Sequence, residues 1–315
     1  MDRKTFNILA IDGGGIRGVF PAHILQCIEE RLNVNLLETF DMIAGTSTGS
    51  IIAAGVAIGI PATNIVEMYK QHGERIFTRK KFFLPWKKLK SMLQPMIESI
   101  YNSQNLYNLL SEVFEEKLLG EIKKPLLLPS TDIGNGLVHV LKSGYNKEFN
   151  RDNKVPIKDA VLASCSAPTY FDPHKVKEYL LADGGLWANN PSLVAVIEAK
   201  KRFDVNLSDI KILSVGTGHS QTMYGTSLAR RWGLINGWRH KMFINFIMSL
   251  QGQSSLNYLS LILRHEQIKR IDFPSDNPLP LDDITKVDDL ISRADKEFTH
   301  RSKEINDFLI DNKGV

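Results

Sequence analysis

Twice within its first sixty residues the chain repeats one order: a short apolar run, a glycine-rich turn, then an apolar helix. Phe6–Ile11 runs into Asp12 and three glycines, and the spacing predicts a helix over Pro21–Leu32 with Ile24, Leu25, Ile28 and Leu32 on one face. Phe40–Ala44 runs into Gly45, and a second helix is predicted over Ser50–Ile58, ended by Gly59 and Pro61. Runs this short, without polar alternation, suit strands buried on both faces. Strand and helix in alternation require an α/β fold with a largely parallel sheet.

The same reading continues along the chain. Helices are predicted over Thr63–Glu74, Asn105–Leu119, Ile157–Ser164, Pro191–Lys201, Met242–Arg264 and Lys286–Leu309. Strands are predicted over Pro125–Thr131, Leu137–Ser143, Tyr179–Asp183 and Ile210–Val215. Asp272–Asp283, with Pro274, Pro278 and Pro280, is a loop or a strap to the last helices. No repeat or low-complexity linker divides the 315 residues, so one domain is expected over 1–315.

Composition narrows the class. Hydrophobic residues make up 43% and charged residues 23%, which excludes a disordered or collagen-like chain. The net charge of +4 is too small to argue for a DNA or RNA polymer as partner. Two cysteines, Cys27 and Cys165, make no disulfide framework, and a cytoplasmic setting is expected. With Asp2 and Asn7 and no long apolar run before the glycines, no secretory signal peptide is expected. The longest apolar stretch, Ile51–Ala62, is shorter than the roughly twenty residues of a membrane span.

The first glycine loop, Asp12–Gly18, admits two ligand readings. Gly13, Gly15 and Gly18 satisfy the dinucleotide spacing, with Glu38 twenty residues beyond as a ribose acid, so an NAD-dependent oxidoreductase is one reading. The loop lacks a P-loop lysine. Successive glycine N–H groups at a helix start also make an anion site, and that anion can be an oxyanion of acyl transfer. Arg17 adds positive charge beside it.

The second loop separates the two. Gly45-Thr46-Ser47-Thr48-Gly49 is a G-x-S-x-G sequence between a strand and a helix, the setting in which that motif lifts a nucleophile out of the chain. Two glycine loops on neighbouring strands open on one sheet edge, where a nucleophile and anion-binding amides meet. Ser47 needs a base. One candidate is Asp183, at the end of an apolar run and before Gly184 and Gly185; another is a triad of Ser47, Asp183 and His219 or His265.

These blocks resemble the patatin-like phospholipases. Asp12-Gly-Gly-Gly-Ile-Arg-Gly18 is similar to that family's oxyanion loop, Gly45–Gly49 to its nucleophile elbow, and Asp183-Gly-Gly185 with Asn189-Asn190-Pro191 to its aspartate turn. Ser166–Phe171 and Ser214–Gly218 also resemble family segments, and the blocks span residues 6 to 218 in the family's order. The resemblance implies a three-layer α/β/α fold with a mostly parallel sheet and a helical C-terminal part over 219–315. It implies a serine acyl hydrolase with Ser47 as nucleophile, Asp183 as base in a dyad, and the amides of Gly13, Gly14 and Gly15 with Arg17 as oxyanion hole, without a metal. Within the family, the chain resembles bacterial effectors of anti-phage (CBASS) signalling. That implies a cyclic dinucleotide activator such as cyclic GMP-AMP, a homo-oligomer, and action on phospholipid at the inner membrane.

Two basic–aromatic segments fit those partners. Arg79–Lys90 carries six Lys/Arg and three aromatics and suits an anionic membrane surface or a lid. Arg230, Arg231, Trp232, Trp238 and Arg239 combine guanidinium and indole groups, which suit the phosphates and bases of a cyclic dinucleotide. Phe243, Phe246, Ile247 and Leu250 are expected in the core, with an oligomer contact as the alternative. Competing readings are a constitutive lipase, the oxidoreductase, and a lipid-binding protein with little catalysis.

Overall fold

A computed structural model describes residues 5–78, 80, 98–219, 240–275 and 279–310. Eight strands form one sheet: β1 Phe6–Ile11, β2 Met42–Gly45, β3 Leu126–Asp132, β4 Leu137–Lys142, β5 His174–Val176, β6 Tyr179–Asp183, β7 Ile210–Val215 and β8 Ile268–Ile271. Their order is β5-β6-β3-β2-β1-β7-β8, with β4 also paired to β3. The run β3-β2-β1-β7-β8 is parallel, while β4, β5 and β6 pair antiparallel.

Side chains alternate across β1, and the alternation divides the core in two. Ile8 and Ala10 join Met42, Ala44 and Leu127 on one face, under Ala195, Val196 and Ala199 of the helix Ser192–Arg202 and Leu259 of the helix His240–Ile262. Leu9 and Ile11 face a larger core built with the helices Val19–Leu32, Thr48–Ala57, Ala62–Ile76, Ser103–Phe114, Ile157–Cys165 and Val287–Ile310. Helices therefore cover both faces, as expected. The final helix packs along Val19–Leu32 and ties the end of the chain to its beginning.

Three expectations need correction. The part beyond residue 219 is not purely helical: β8 extends the sheet at β7. The segment β5, three residues long, was also not legible as a strand. The apolar residues Phe243, Phe246 and Ile247 are only half-buried, and Leu250 is 46% exposed. Their helix packs on Gly185–Ala188 and Ser192–Arg202, with Leu250, Tyr258 and Leu261 exposed.

The register on β3 positions the site. β4 takes one edge of β3 from Leu127 to Asp132, so β2 and β6 must share the other. The strand β2 pairs parallel with Leu126 and Leu127, and β6 pairs antiparallel with Ser130 to Asp132. The two strands run toward each other and end head to head across Leu128 and Pro129. Ser47 follows the end of β2, and Asp183 ends β6.

Candidate active site

Ser47 adopts φ 54° and ψ −128° between β2 and the helix Thr48–Ala57. A side chain rarely takes such a backbone conformation, and it persists only where surrounding contacts enforce it. Here the chain has little room: a β-carbon on Gly45 would come within 2.1 Å of the Gly49 carbonyl oxygen, and one on Gly49 within 2.4 Å of the Ile11 oxygen. The Ser47 N–H donates to Ser164 Oγ at 3.0 Å, and Ser164 Oγ donates to the Pro129 carbonyl at 2.7 Å. Thr46 Oγ1 donates to the Ala188 carbonyl at 2.7 Å. The elbow is thus pinned on both flanks, with the positive end of the helix dipole behind the serine.

Ser47 Oγ donates to Asp183 Oδ2 at 2.6 Å. The other carboxylate oxygen accepts the Gly185 N–H at 2.6 Å. The Asp183 backbone is fixed too: its N–H donates to the Ser166 carbonyl at 2.9 Å and its carbonyl accepts from Thr131 Oγ1 at 2.8 Å. Ser47 is 6% and Asp183 2% exposed. Burial raises the Asp183 carboxyl to about 6, against the lowering effect of the hydrogen bonds from Ser47 and Gly185. Among the described residues no histidine hydrogen-bonds either group, and His219 instead meets Asp272 at 3.3 Å. The triad alternative has no support in this geometry.

The first glycine loop lies beside the elbow, because β1 and β2 are paired in parallel with Ile11 opposite Gly45. The Gly13 N–H donates to the Asn189 carbonyl at 3.0 Å. The Gly13 carbonyl accepts from Thr217 Oγ1 at 2.9 Å and Asn189 Nδ2 at 3.4 Å. The Gly14 carbonyl accepts from Arg17 Nε at 3.1 Å and from the Arg17 N–H at 3.2 Å. A trans peptide points its N–H opposite to its carbonyl. Fixing the carbonyls of Gly13 and Gly14 therefore aims the N–H groups of Gly14 and Gly15, and neither has an acceptor among the described residues. Arg17 also donates to the Gly218 carbonyl at 3.3 Å, so its guanidinium braces the loop; burial lowers it to about 10.

Below the loop, Arg270 binds both oxygens of Asp12 at 3.0 and 2.6 Å, Asp272 at 2.7 Å and Ser214 Oγ at 2.7 Å. Burial pushes Asp12 up to about 6, while Arg270 and His219 outweigh burial at Asp272 and hold it well below the usual carboxylate range. This network was not foreseen. Its signal is faint: Arg270 and Asp272 stand two apart in an extended segment and so share a face.

An apolar pocket leads away from Ser47. Thr48, Ile51, Tyr69, Ile76, Phe77, Leu106, Tyr170 and Phe171 line it, with Leu281 of the C-terminal strap. The Ile16 N–H donates to the Leu281 carbonyl at 2.8 Å, which ties that strap to the glycine loop. Arg230, Arg231, Trp232, Trp238 and Arg239 lie outside the described residues, as does Arg79–Lys90 except Lys80, which pairs with Asp172 at 2.6 Å. Glu38 is exposed and precedes β2, away from a strand end where a ribose acid would stand.

Comparison with known proteins identifies the family. The family model described as "Patatin-like phospholipase" matches residues 9–196. A "cGAMP-activated phospholipase" of Vibrio cholerae is 32% identical, over 98% of this chain and 95% of its own. Proteins of the same description from Escherichia coli and Pseudomonas aeruginosa are 32% and 30% identical, over 74% and 81% of this chain and 68% and 74% of theirs. The chain belongs to the patatin-like phospholipase family.

Proposed function

We propose that this protein hydrolyses acyl esters of membrane phospholipids through a Ser47–Asp183 dyad and is switched on by a cyclic dinucleotide. The carrying observation is the 2.6 Å contact between Ser47 Oγ and Asp183 Oδ2 at the end of an apolar pocket. Asp183 takes the hydroxyl proton as Ser47 Oγ attacks the ester carbonyl carbon. The N–H groups of Gly14 and Gly15 receive the oxyanion, and Gly13, Thr217, Asn189 and Arg17 hold the loop in place. The acyl chain lies along Ile51, Ile76, Phe77 and Leu106. The alcohol leaves with the proton from Asp183, and water then releases the fatty acid.

The nucleotide switch is supported by the three bacterial relatives named for activation by cGAMP. Arg230, Arg231, Trp232, Trp238 and Arg239 are the residues proposed to bind it. Among the described residues no helix is long and apolar enough to cross a membrane. Leu250 and Leu261, 46% and 80% exposed with Tyr258 between them, form an apolar stripe on the helix His240–Ile262 that suits peripheral contact with a bilayer.

The test is fatty-acid release from phospholipid vesicles by the wild type, Ser47→Ala and Asp183→Asn, with and without each of a panel of cyclic dinucleotides. Release that needs one nucleotide and is lost in both variants is the expected result. Equal release without any nucleotide keeps the hydrolase and removes the switch; no release under any condition overturns the hydrolase.

A further inference from the structure

Asn189 carries a buried polar atom that the fold does not use. The residue is 8% exposed, and its Nδ2 donates to the Gly13 carbonyl at 3.4 Å. That contact orients the amide and leaves Oδ1 without a donor among the described residues. An unsatisfied buried acceptor is costly, so its presence beside a reactive centre calls for a partner. The adjacent Asn190 behaves differently. Its Oδ1 accepts from the Ser192 N–H at 2.9 Å and Ser255 Oγ at 3.5 Å, and its Nδ2 donates to Ser214 Oγ at 3.3 Å. Asn190 is fully engaged in holding the helix Ser192–Arg202 to β7, whereas Asn189 is not.

The position of Asn189 Oδ1 is defined by two glycines. A β-carbon on Gly13 would stand 2.5 Å from this oxygen and 3.0 Å from Ser47 Cβ. One on Gly185 would stand 3.1 Å from the same oxygen and 3.0 Å from Asp183 Oδ1. The missing side chains thus let Asn189 Oδ1 pack close to Ser47 and Asp183. Asn189 also lines a second cleft, where Arg17, Thr217 and Arg270 stand among apolar residues such as Phe246 and Leu256. Ser47 lines the apolar pocket, and Met248 borders both. The first is almost wholly apolar, whereas the second carries charged and hydrogen-bonding groups as well.

We infer that Asn189 Oδ1 positions the water that hydrolyses the acyl-enzyme. The inference rests on the dyad proposed above. Once Ser47 Oγ carries the acyl group, it has no proton to donate, and Asp183 Oδ2 is free to accept from water. A water molecule has two O–H groups. With one directed at Asp183 and the other at Asn189, its lone pair is turned toward the acyl carbon. The water oxygen bonds to that carbon as its proton passes to Asp183, and the carbonyl electron pair moves onto the oxygen facing Gly14 and Gly15. Collapse of this intermediate breaks the bond from the acyl carbon to Ser47 Oγ. Asp183 returns the proton to Ser47 Oγ, and the fatty acid leaves. A neutral acceptor suits this place, because a second carboxylate would oppose ionisation of Asp183.

The test separates acylation from deacylation. A p-nitrophenyl acyl ester is mixed rapidly with the wild type, Asn189→Leu, Asn189→Ala and Asn189→Asp in the presence of mixed cyclic dinucleotides. Nitrophenolate is followed by absorbance, and the acyl-enzyme by intact mass. The Asn189 backbone carbonyl, which accepts from Gly13, is kept in every variant, and Asn189→Ala carries the test where the larger leucine prevents folding. The leucine and alanine variants are expected to keep a burst of about one nitrophenolate per enzyme. Their steady-state rate is expected to fall roughly 10²-fold while the acyl-enzyme accumulates. Asn189→Asp is expected to recover turnover with its acid limb moved to higher pH. Burst and steady state falling together, or steady-state turnover unchanged in both variants, would overturn the inference. A wild type without burst or turnover would instead overturn the dyad on which it rests.

Discussion

Ser47 holds its φ of 54° because two neighbours lack side chains. Gly49→Ala would drive a methyl group into the carbonyls of Ile11 and Asp12, and Gly45→Ala into the Gly49 carbonyl. Each substitution is expected to destabilise the fold by about 2 kcal/mol or more, measured by urea denaturation. A second prediction concerns Asp183. Its folded carboxyl lies at about 6, above the ordinary 3.8. An acid raised by folding binds its proton more tightly in the fold, so stability is greatest below about pH 4 for this group and declines as pH rises through about 6. Asp183→Asn is therefore expected to raise stability near pH 7, by up to about 3 kcal/mol at roughly 1.4 kcal/mol per pKa unit, while abolishing ester hydrolysis. The wild-type rate should fall as pH drops below about 6, since only ionised Asp183 accepts the serine proton. Thermal melts of both proteins and a pH–rate profile check the two statements together.

At the scale of elements, the glycine loop keeps its shape because other segments hold its carbonyls. Thr217, after β7, and Asn189, after the turn that follows β6, both reach the Gly13 carbonyl. Thr217→Val preserves shape and removes one of these bonds. It is expected to lower kcat roughly 10-fold with little change in KM, as a weakened transition-state contact should; steady-state kinetics on a soluble ester would show it. The strands behave similarly. An eight-strand sheet lets β2 and β6 end against each other only because β3 pairs with both along one edge. That arrangement, rather than either strand alone, brings Ser47 to Asp183. The helix Ile157–Cys165 and the turn after it complete the site, through Ser164 under the elbow and Ser166 under Asp183.

Across the whole molecule, an early and a late segment of the chain meet beneath the glycine loop. Arg270 and Asp272, at and just past the end of β8, clamp Asp12 past the end of β1, with β7 between those strands. Arg270→Met would leave Asp12 and Asp272 buried near each other without the guanidinium that binds both, with His219 on Asp272 and the charge of Arg17 as the remaining offsets. Loss of about 3–5 kcal/mol is expected, seen as a lowered denaturation midpoint. The C-terminal region is thus not an appendage: Leu281 closes the apolar pocket, and the last helix covers Val19–Leu32.

Local order was the part that the chain's own residues determined. Phe6–Ile11, Tyr179–Asp183 and Ile210–Val215 are strands at the bounds their apolar runs predict, and most helices start and stop within a few residues of their caps and glycines. These features depend on nearest neighbours and periodicity, which a sequence displays directly. Ser47, Asp183 and the three glycines of the first loop stood out for the same reason, because tight turns admit few residue types. Tertiary structure decided everything that depends on distant segments meeting. It selected Gly14 and Gly15 as the amides left free, by engaging Gly13 with Asn189. It turned Arg17 into a brace, brought Arg270 beneath the loop, and left Asn189 Oδ1 close to Ser47 and Asp183. It also exposed Leu250 and Leu261 on a helix whose composition suggested burial. Hydrogen-bond partners separated by a hundred or more residues leave no periodic trace along the chain, so only the folded molecule shows which donor reaches which acceptor.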